Sequence, residues 1–130
     1  MSHTVKIQTQ FKTENLNSFR RALEHFGWKI VENAKIRTYS SDPARNTVYG
    51  MIAQNPGSGY DMGLKMNEET GELEVFCDYF DGSITKALGQ NMQDLKQEYS
   101  CCVIEDKLAY DGYTAARHVD EKGVVDIYAE

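Results

Sequence analysis

Two aspartates near the ends of a predicted hairpin are the residues best placed for chemistry in this sequence. The stretch "YDMGLKMNEETGELEVFCDYFDG" covers residues 60–82, and its alternating apolar residues and central Gly71 predict two strands that pair about residue 69. This symmetry sets Asp61 opposite residue 77 or 78, so we expect it to face Asp78. Such a carboxylate pair can share a proton or bind a cation, and Asp81 follows three residues later.

The same aspartates also fit a structural role, and the sequence leaves both interpretations open. Asp78 precedes two aromatic residues and "DGS", just before a predicted helix. This pattern is typical of an N-capping loop, whose carboxylates accept backbone hydrogen bonds. The other interpretation is a small-ligand or cation site, with weak enzymatic activity at most, centred on Asp61 and Asp78. Asp81 and Gln97 are its further candidate ligands.

The remaining candidates for catalysis or metal binding have weaker support. His118 and Asp120 share one face of a predicted strand, but two ligands are too few for a metal site. Cys101 and Cys102 point about 100° apart on a predicted helix, so we expect one to be buried and one partly exposed. Nearby acids would raise the pKa of either thiol. We find no Walker, GxGxxG or GxSxG motif, and we predict no catalytic residue, metal or cofactor.

Aromatic residues offer a different indication. The chain has eight tyrosines, five phenylalanines and one tryptophan, more than a core of this size requires. Partly exposed tyrosines are common in protein interfaces, whereas packing along sheet edges is the alternative. Gln97 and Tyr99 face different sides of one helix, and Tyr99 continues its apolar stripe into the core. The predicted protein-binding residues are Tyr60, Tyr79, Phe80, Tyr110 and Tyr113.

Length and charge narrow the class of protein. The 130 residues, 41% hydrophobic and 26% charged, predict a single α+β domain over residues 1–130. No apolar run reaches the roughly 18 residues of a membrane span, and no secretory signal is recognisable. Three cysteines, two of them adjacent, favour reduced thiols and a cytoplasmic location.

The net charge of −6 is unevenly distributed. Residues 1–50 carry eight basic and four acidic side chains, and residues 51–130 carry six and sixteen. A mainly acidic protein is a poor candidate for phosphate-backbone binding. Nucleic-acid binding would require the early bases to share one face, namely Lys12, Arg20, Arg21, Lys29, Lys35 and Arg37.

The elements are predicted in the order β-α-β-β-β-β-α-β-β. Leu16, Phe19, Leu23 and Phe26 form one helical stripe that begins near Thr13 and stops at Gly27. A second helical pattern runs from Ile84 to about Leu108 and is expected to break at Gly89. The second strand is expected to bend at Asn33, and the first to alternate Val5, Ile7, Thr9 and Phe11. We predict an α+β fold, a mainly antiparallel sheet with two helices packed on one face.

Several short motifs resemble one family along nearly the whole chain. "YDMGL", "FCDYFDG", "QEYS" and "DGYTAARHVDEKGVVDIYAE" are similar to motifs of an uncharacterised family, the hypothetical chloroplast reading frame number thirty-five, found in cyanobacteria, their phages and red-algal plastids. The matching positions are Tyr60, Asp61, Gly63, Asp78, Gln97, Tyr99, Gly112 and Tyr113, whereas Tyr79 and Phe80 replace the family's two tryptophans.

The resemblance implies little chemistry. It implies a diverged member without an established activity, located in the host cytoplasm if a phage encodes it and in the stroma if a plastid does. By gene association alone, it implies a protein partner such as an AAA-type ATPase. The sequence leaves the oligomeric state open, a homo-oligomer included. Our interpretation is therefore a non-enzymatic adaptor or accessory protein that binds another protein.

Overall fold

The computed structural model describes residues 4–7 and 10–130 and has the predicted α+β architecture. Five antiparallel strands form one sheet in the order β1-β5-β4-β3-β2, and two further strands pair separately. The strands are β1 Val5–Ile7, β2 Lys29–Lys35, β3 Val48–Gln54, β4 Met62–Asn67, β5 Glu72–Cys77, β6 Ala115–Val119 and β7 Val125–Ala129. The helices are α1 Leu16–His25, α2 Ser83–Leu88 and α3 Gln93–Tyr110. Thr9 of the predicted first strand lies outside the described residues.

The helix boundaries follow the glycines that the sequence suggested. Gly27 takes φ +83° just after α1, a left-handed conformation that glycine adopts without a Cβ penalty. Gly89, at φ +88°, separates α2 from α3, and a Cβ there would lie 2.9 Å from the backbone nitrogen of Asp94. The expected break at Gly89 is confirmed, and it gives two helices where the predicted order had one.

The core lies between the helices and one face of the five-stranded sheet. Met62, Leu64 and Val75 contribute from the sheet, and the α1 stripe buries Phe19 and Leu23. Tyr99 of α3 is buried, and its hydroxyl accepts hydrogen bonds from the Lys12 amide at 3.0 Å and from Asn15 Nδ2 at 3.3 Å. The prediction that Tyr99 belongs to the core is confirmed.

The connection between β2 and β3, residues 36–47, forms a strap across the end of the sheet. It begins beyond Asn33, whose φ of +50° bends β2 as expected. The strap then contacts successive strands: Arg37 pairs with Asp61 before β4, Tyr39 meets Phe80 after β5, and Asp42 binds Thr4 before β1. Ile36 and Ile52 are buried outside the main core cluster.

The C-terminal hairpin, β6 and β7, packs on α3 and does not extend the main sheet. Arg117 of β6 makes two bidentate contacts, to Glu98 at 2.7 and 2.8 Å and to Glu105 at 2.6 and 2.9 Å. Paired guanidinium–carboxylate bonds of this kind fix orientation as well as distance. One arginine thus anchors the hairpin to a helix.

The expectation for the adjacent cysteines was wrong in part. Cys101 and Cys102 are both buried, at 7% and 2% exposure, although we expected one to be partly exposed. Burial is the main cause that raises the pKa of Cys102 to about 11, and the acidic neighbours add less. The misjudgement arose because a helical pattern alone does not show that a distant hairpin packs nearby.

Replacing Gly63 by alanine should destabilise the fold. A Cβ at Gly63 would lie 2.5 Å from the ring of Tyr49, so we expect a loss of about 1–3 kcal/mol in the free energy of unfolding, measured in urea. Gly50→Ala is the matched control, because no atom lies within 4 Å of its Cβ position. Equal stabilities of the two variants would contradict the contact.

Loss of the Arg117 contacts should change how stability depends on pH. Hydrogen bonds from Arg117 lower the pKa of Glu98 and of Glu105 below the ordinary 4.5. A lowered folded-state pKa stabilises the fold above about 4.5, and this contribution disappears as the pH falls through the lowered value.

Urea unfolding between about pH 6 and about pH 3 should therefore show a steeper loss of stability for the wild type than for Arg117→Gln. Arg20→Gln, at an exposed arginine of α1, should keep the wild-type profile. Parallel profiles for wild type and Arg117→Gln would show that the ion pairs contribute nothing in solution.

Candidate functional site

The two aspartates that the sequence suggested lie on neighbouring strands at one end of the sheet. The β4–β5 register pairs Gly63 with Phe76. When this register is extended by two residues, Asp61 lies across from Asp78. The β1–β5 register pairs Val5 with Cys77, so Thr4 is the neighbour of Asp78 on its other side. The strap holds both neighbours of Asp78: Arg37 binds Asp61, and Asp42 binds Thr4.

Asp61 is enclosed by hydrogen-bond donors. It is 1% exposed and receives the Arg37 amide at 2.8 Å, the Asn55 amide at 2.8 Å and the Arg37 guanidinium at 2.8 to 3.2 Å. Arg37 also donates to the carbonyls of Asn55 and Gly57, at 2.6 and 2.7 Å. Both carboxylate oxygens are occupied, so a cation could bind Asp61 only by displacing these donors.

Sequence reasoning did not find Arg37 as the partner of Asp61. It counted Arg37 only among the bases that nucleic-acid binding would require. The two residues are 24 positions apart and are brought together by the strap, which leaves no periodic signal in the sequence. The sequence offers one signal. Asp61 directly precedes an apolar strand, where its carboxylate would be buried, and a buried carboxylate requires a partner.

Asp78 is buried, but only one of its two carboxylate oxygens has a hydrogen-bond partner among the described residues. Its Oδ1 accepts the Phe80 amide at 2.9 Å, and its Oδ2 has no hydrogen-bond partner among the described residues. Asp81 accepts the Ser83 amide at 2.9 Å, the Ser83 hydroxyl at 2.7 Å and the Tyr60 amide at 3.2 Å. Backbone hydrogen bonding by both aspartates agrees with the structural interpretation. The N-cap residue of α2 is Gly82, which has no side chain to cap with.

Three of the predicted binding aromatics lie at this end of the sheet, with different exposures. Phe80 is 68% exposed, and its ring meets Tyr39 edge-on with the centroids 6.2 Å apart. Tyr60 is half-buried, and partial burial together with the carboxylates of Asp81 and Asp78 raises its pKa. Tyr79 is half-buried with its hydroxyl next to the Cys77 thiol, and burial is the main cause that raises its pKa to about 12.

The other predicted site residues lie elsewhere. Tyr110, 91% exposed, and Tyr113, 53% exposed, are at the C-terminal end of α3, and no ring contact within the described residues joins them to Phe80. Gln97 borders a groove between α3 and β7, together with Ile104 and Ile127. The structure therefore does not place Gln97 with the aspartates or gather the five aromatic residues into one patch.

Three of the six early basic residues are paired with acids within the described chain. Lys12 lies 3.9 Å from Glu72, Arg21 lies 3.2 Å from Glu105, and Arg37 pairs with Asp61. These contacts neutralise half of the basic charge that a nucleic-acid surface would use. His118, on β6, is exposed.

Searches of the described residues for metal and membrane sites were negative. No group of three or more His, Cys, Asp or Glu side chains in residues 4–7 and 10–130 could hold a metal ion. In the same part of the chain, no helix combines the length and the apolar character needed to span a membrane.

Comparison with known proteins adds no relative. No family model, no curated protein and no solved structure matches this chain.

Removing the Arg37 side chain should destabilise this end of the sheet. Arg37→Ala leaves the buried Asp61 carboxylate without its counter-ion, although the Arg37 and Asn55 amides still bind it. The guanidinium is half-exposed, so we expect a loss of about 1–3 kcal/mol in the free energy of unfolding. Arg37→Lys should fall between the alanine variant and the wild type, because a lysine cannot reproduce the forked contact.

Urea unfolding of the variants measures the effect. Arg45→Ala is the control on the same strap, because exposed Arg45 donates only to the Ser40 carbonyl; we expect a change within about 0.5 kcal/mol. If Arg37→Ala were as stable as Arg45→Ala, the ion pair would not hold the strap.

Proposed function

We propose that this protein is a non-enzymatic adaptor that binds another protein through the end of its five-stranded sheet. The proposed binding surface, called here the aromatic edge, consists of Tyr39, Tyr60, Phe80 and Asp81. The observation that carries the proposal is the 68% exposure of Phe80 on a loop fixed by hydrogen bonds. A large exposed aromatic side chain on a rigid support is the usual form of an interface anchor.

The rigidity of the loop supports this role. The Phe80 amide is bound by Asp78, and the Gly82 amide donates to the Tyr79 carbonyl at 3.0 Å. Asp81 links the loop to Ser83 and to the Tyr60 amide. A surface that is already ordered loses less conformational entropy on binding, so more of the contact energy appears as affinity.

The alternative is a small-ligand or cation site centred on Asp61 and Asp78, and one observation favours it. Oδ2 of Asp78 is buried without a partner among the described residues, and buried polar atoms usually have one. Against it, Asp61 is occupied by Arg37, whose positive charge would repel a cation. We therefore rank it second.

The finer predictions are proposals of the same kind. Membership of the chloroplast reading-frame family, an AAA-type ATPase as the partner and a cytoplasmic or stromal location depend on the resemblance and on composition. Tyr110 and Tyr113, at the C-terminal end of α3, are proposed as a second contact region for the partner.

A photo-crosslinking amino acid at position 80 tests the binding role. We expect p-benzoylphenylalanine in place of Phe80 to give one discrete protein adduct in the native host lysate. Excess wild-type protein should compete the adduct away, and Phe80→Ala should not. With the purified partner, Phe80→Ala should weaken binding by about tenfold or more, the loss typical of an aromatic anchor.

The same probe at Tyr128, which is 54% exposed on β7, is the positional control. No adduct at position 80, or the same adducts at both positions, would contradict the proposed function. If calcium chloride raised the thermal stability of the wild type but not of Asp78→Asn, the result would instead support the cation site.

A further inference from the structure

The aromatic edge lies in a region with surplus negative charge. The segments that build it, residues 36–47, 55–61 and 78–83, contain four aspartates and two arginines, a net charge of −2. One arginine, Arg37, is committed to Asp61. The other, Arg45, donates to the Ser40 carbonyl.

Three of these carboxylates have no ion-pair partner among the described residues. Within the described chain, no basic side chain lies within 4.0 Å of Asp42, Asp78 or Asp81. Asp42 and Asp78 are buried, at 3% and 6% exposure, so solvent and salt screen their charges less than they would at the surface. Asp42 is held by the Thr4 hydroxyl at 2.6 Å and the Thr4 amide at 2.7 Å.

The carboxylates lie beside the aromatic residues. Asp81 is exposed, adjoins Phe80 in the chain and accepts the Tyr60 amide at 3.2 Å. Partial burial is the main cause that raises the pKa of Tyr60, and Asp81 and Asp78 add to it. The exposed ring of Phe80 and an exposed carboxylate are therefore neighbours on this surface.

A cationic side chain is the group that such a surface suits. Guanidinium and ammonium groups bind both the face of an aromatic ring and a carboxylate oxygen. A purely apolar group would take the exposed Asp81 carboxylate out of water without a counter-charge, and a phosphate would be repelled by the local charge. Resting on the proposed function, we propose that the aromatic edge binds a lysine or arginine side chain presented by a protein partner.

A small arginine probe tests this directly. Amide chemical shifts of the intact protein are followed by NMR during titration with acetyl-Gly-Arg-Gly-amide. The citrulline analogue, equal in shape but uncharged, is the matched probe. We expect saturable shifts at Tyr39, Phe80 and Asp81 with the arginine peptide only. Equal shifts with the citrulline peptide, or none with either, would overturn the proposal.

Two variants separate the ring from the charge. Phe80→Leu keeps the apolar bulk without the π face. Asp81→Asn removes the charge, yet its amide oxygen can still accept the Ser83 amide. The Tyr60 amide loses Oδ2 of Asp81 but keeps the Ser83 hydroxyl as acceptor at 3.1 Å, so the turn should be preserved. Each should weaken binding of the arginine peptide about two- to fivefold, the value of one exposed cation–π or ionic contact. Tyr128→Leu, at the exposed tyrosine of β7 that serves as the positional control, should leave binding of the arginine peptide unchanged.

The two proposals fail in distinguishable ways. If the crosslinking residue at position 80 forms its adduct but the arginine peptide does not bind, the adaptor role stands and the inference of a cationic partner group is wrong. If binding of the arginine peptide survives both Phe80→Leu and Asp81→Asn unchanged, the peptide binds elsewhere and the inference is also wrong.

Discussion

The ion pair between Asp61 and Arg37 is the interaction on which the candidate binding end of the sheet depends. Through it the start of β4 accepts bonds from the strap, and the strap in turn binds the carbonyls of Asn55 and Gly57. The Asp61 carboxylate is buried whereas the guanidinium is half-exposed. Breaking the pair therefore leaves a buried charge that has lost part of its hydrogen bonding. The hydrogen bonds from Arg37 to Asp61 and to the two carbonyls tie the strap to this end of the sheet.

The fixed strap carries part of the candidate surface. It is held at Arg37 and at Asp42, and Tyr39 lies between these points with its ring against Phe80. Burial alone would raise the pKa of Asp42, but hydrogen bonds from Thr4 and Ala44 lower it, so the second attachment remains anionic. The exposed rings of the aromatic edge are thus positioned by buried polar contacts.

Local features of the fold were predictable from the sequence, and long-range ones were not. Periodicity and glycine positions correctly gave α1, the central hairpin and the break at Gly89, because neighbouring residues determine them. The register of the hairpin was predictable too, because a turn sets its own register, and extending it by two residues beyond Gly63–Phe76 puts Asp61 across from Asp78. The Arg37–Asp61 and Arg117–Glu98 contacts join residues 24 and 19 positions apart, and no spacing in the sequence marks them. The same limit explains the separate C-terminal hairpin and the burial of both Cys101 and Cys102.

The distribution of reactive groups agrees with the proposed binding role. Burial is the main cause that raises the pKa of Cys77, at the end of β5, to about 12 and of Cys102, on α3, to about 11. An activated thiol nucleophile requires the opposite, a lowered pKa. Asp61 is saturated with donors, whereas Phe80 and Asp81 face solvent. Buried groups here hold the structure, and the exposed groups are those that a protein partner can contact without rearranging it.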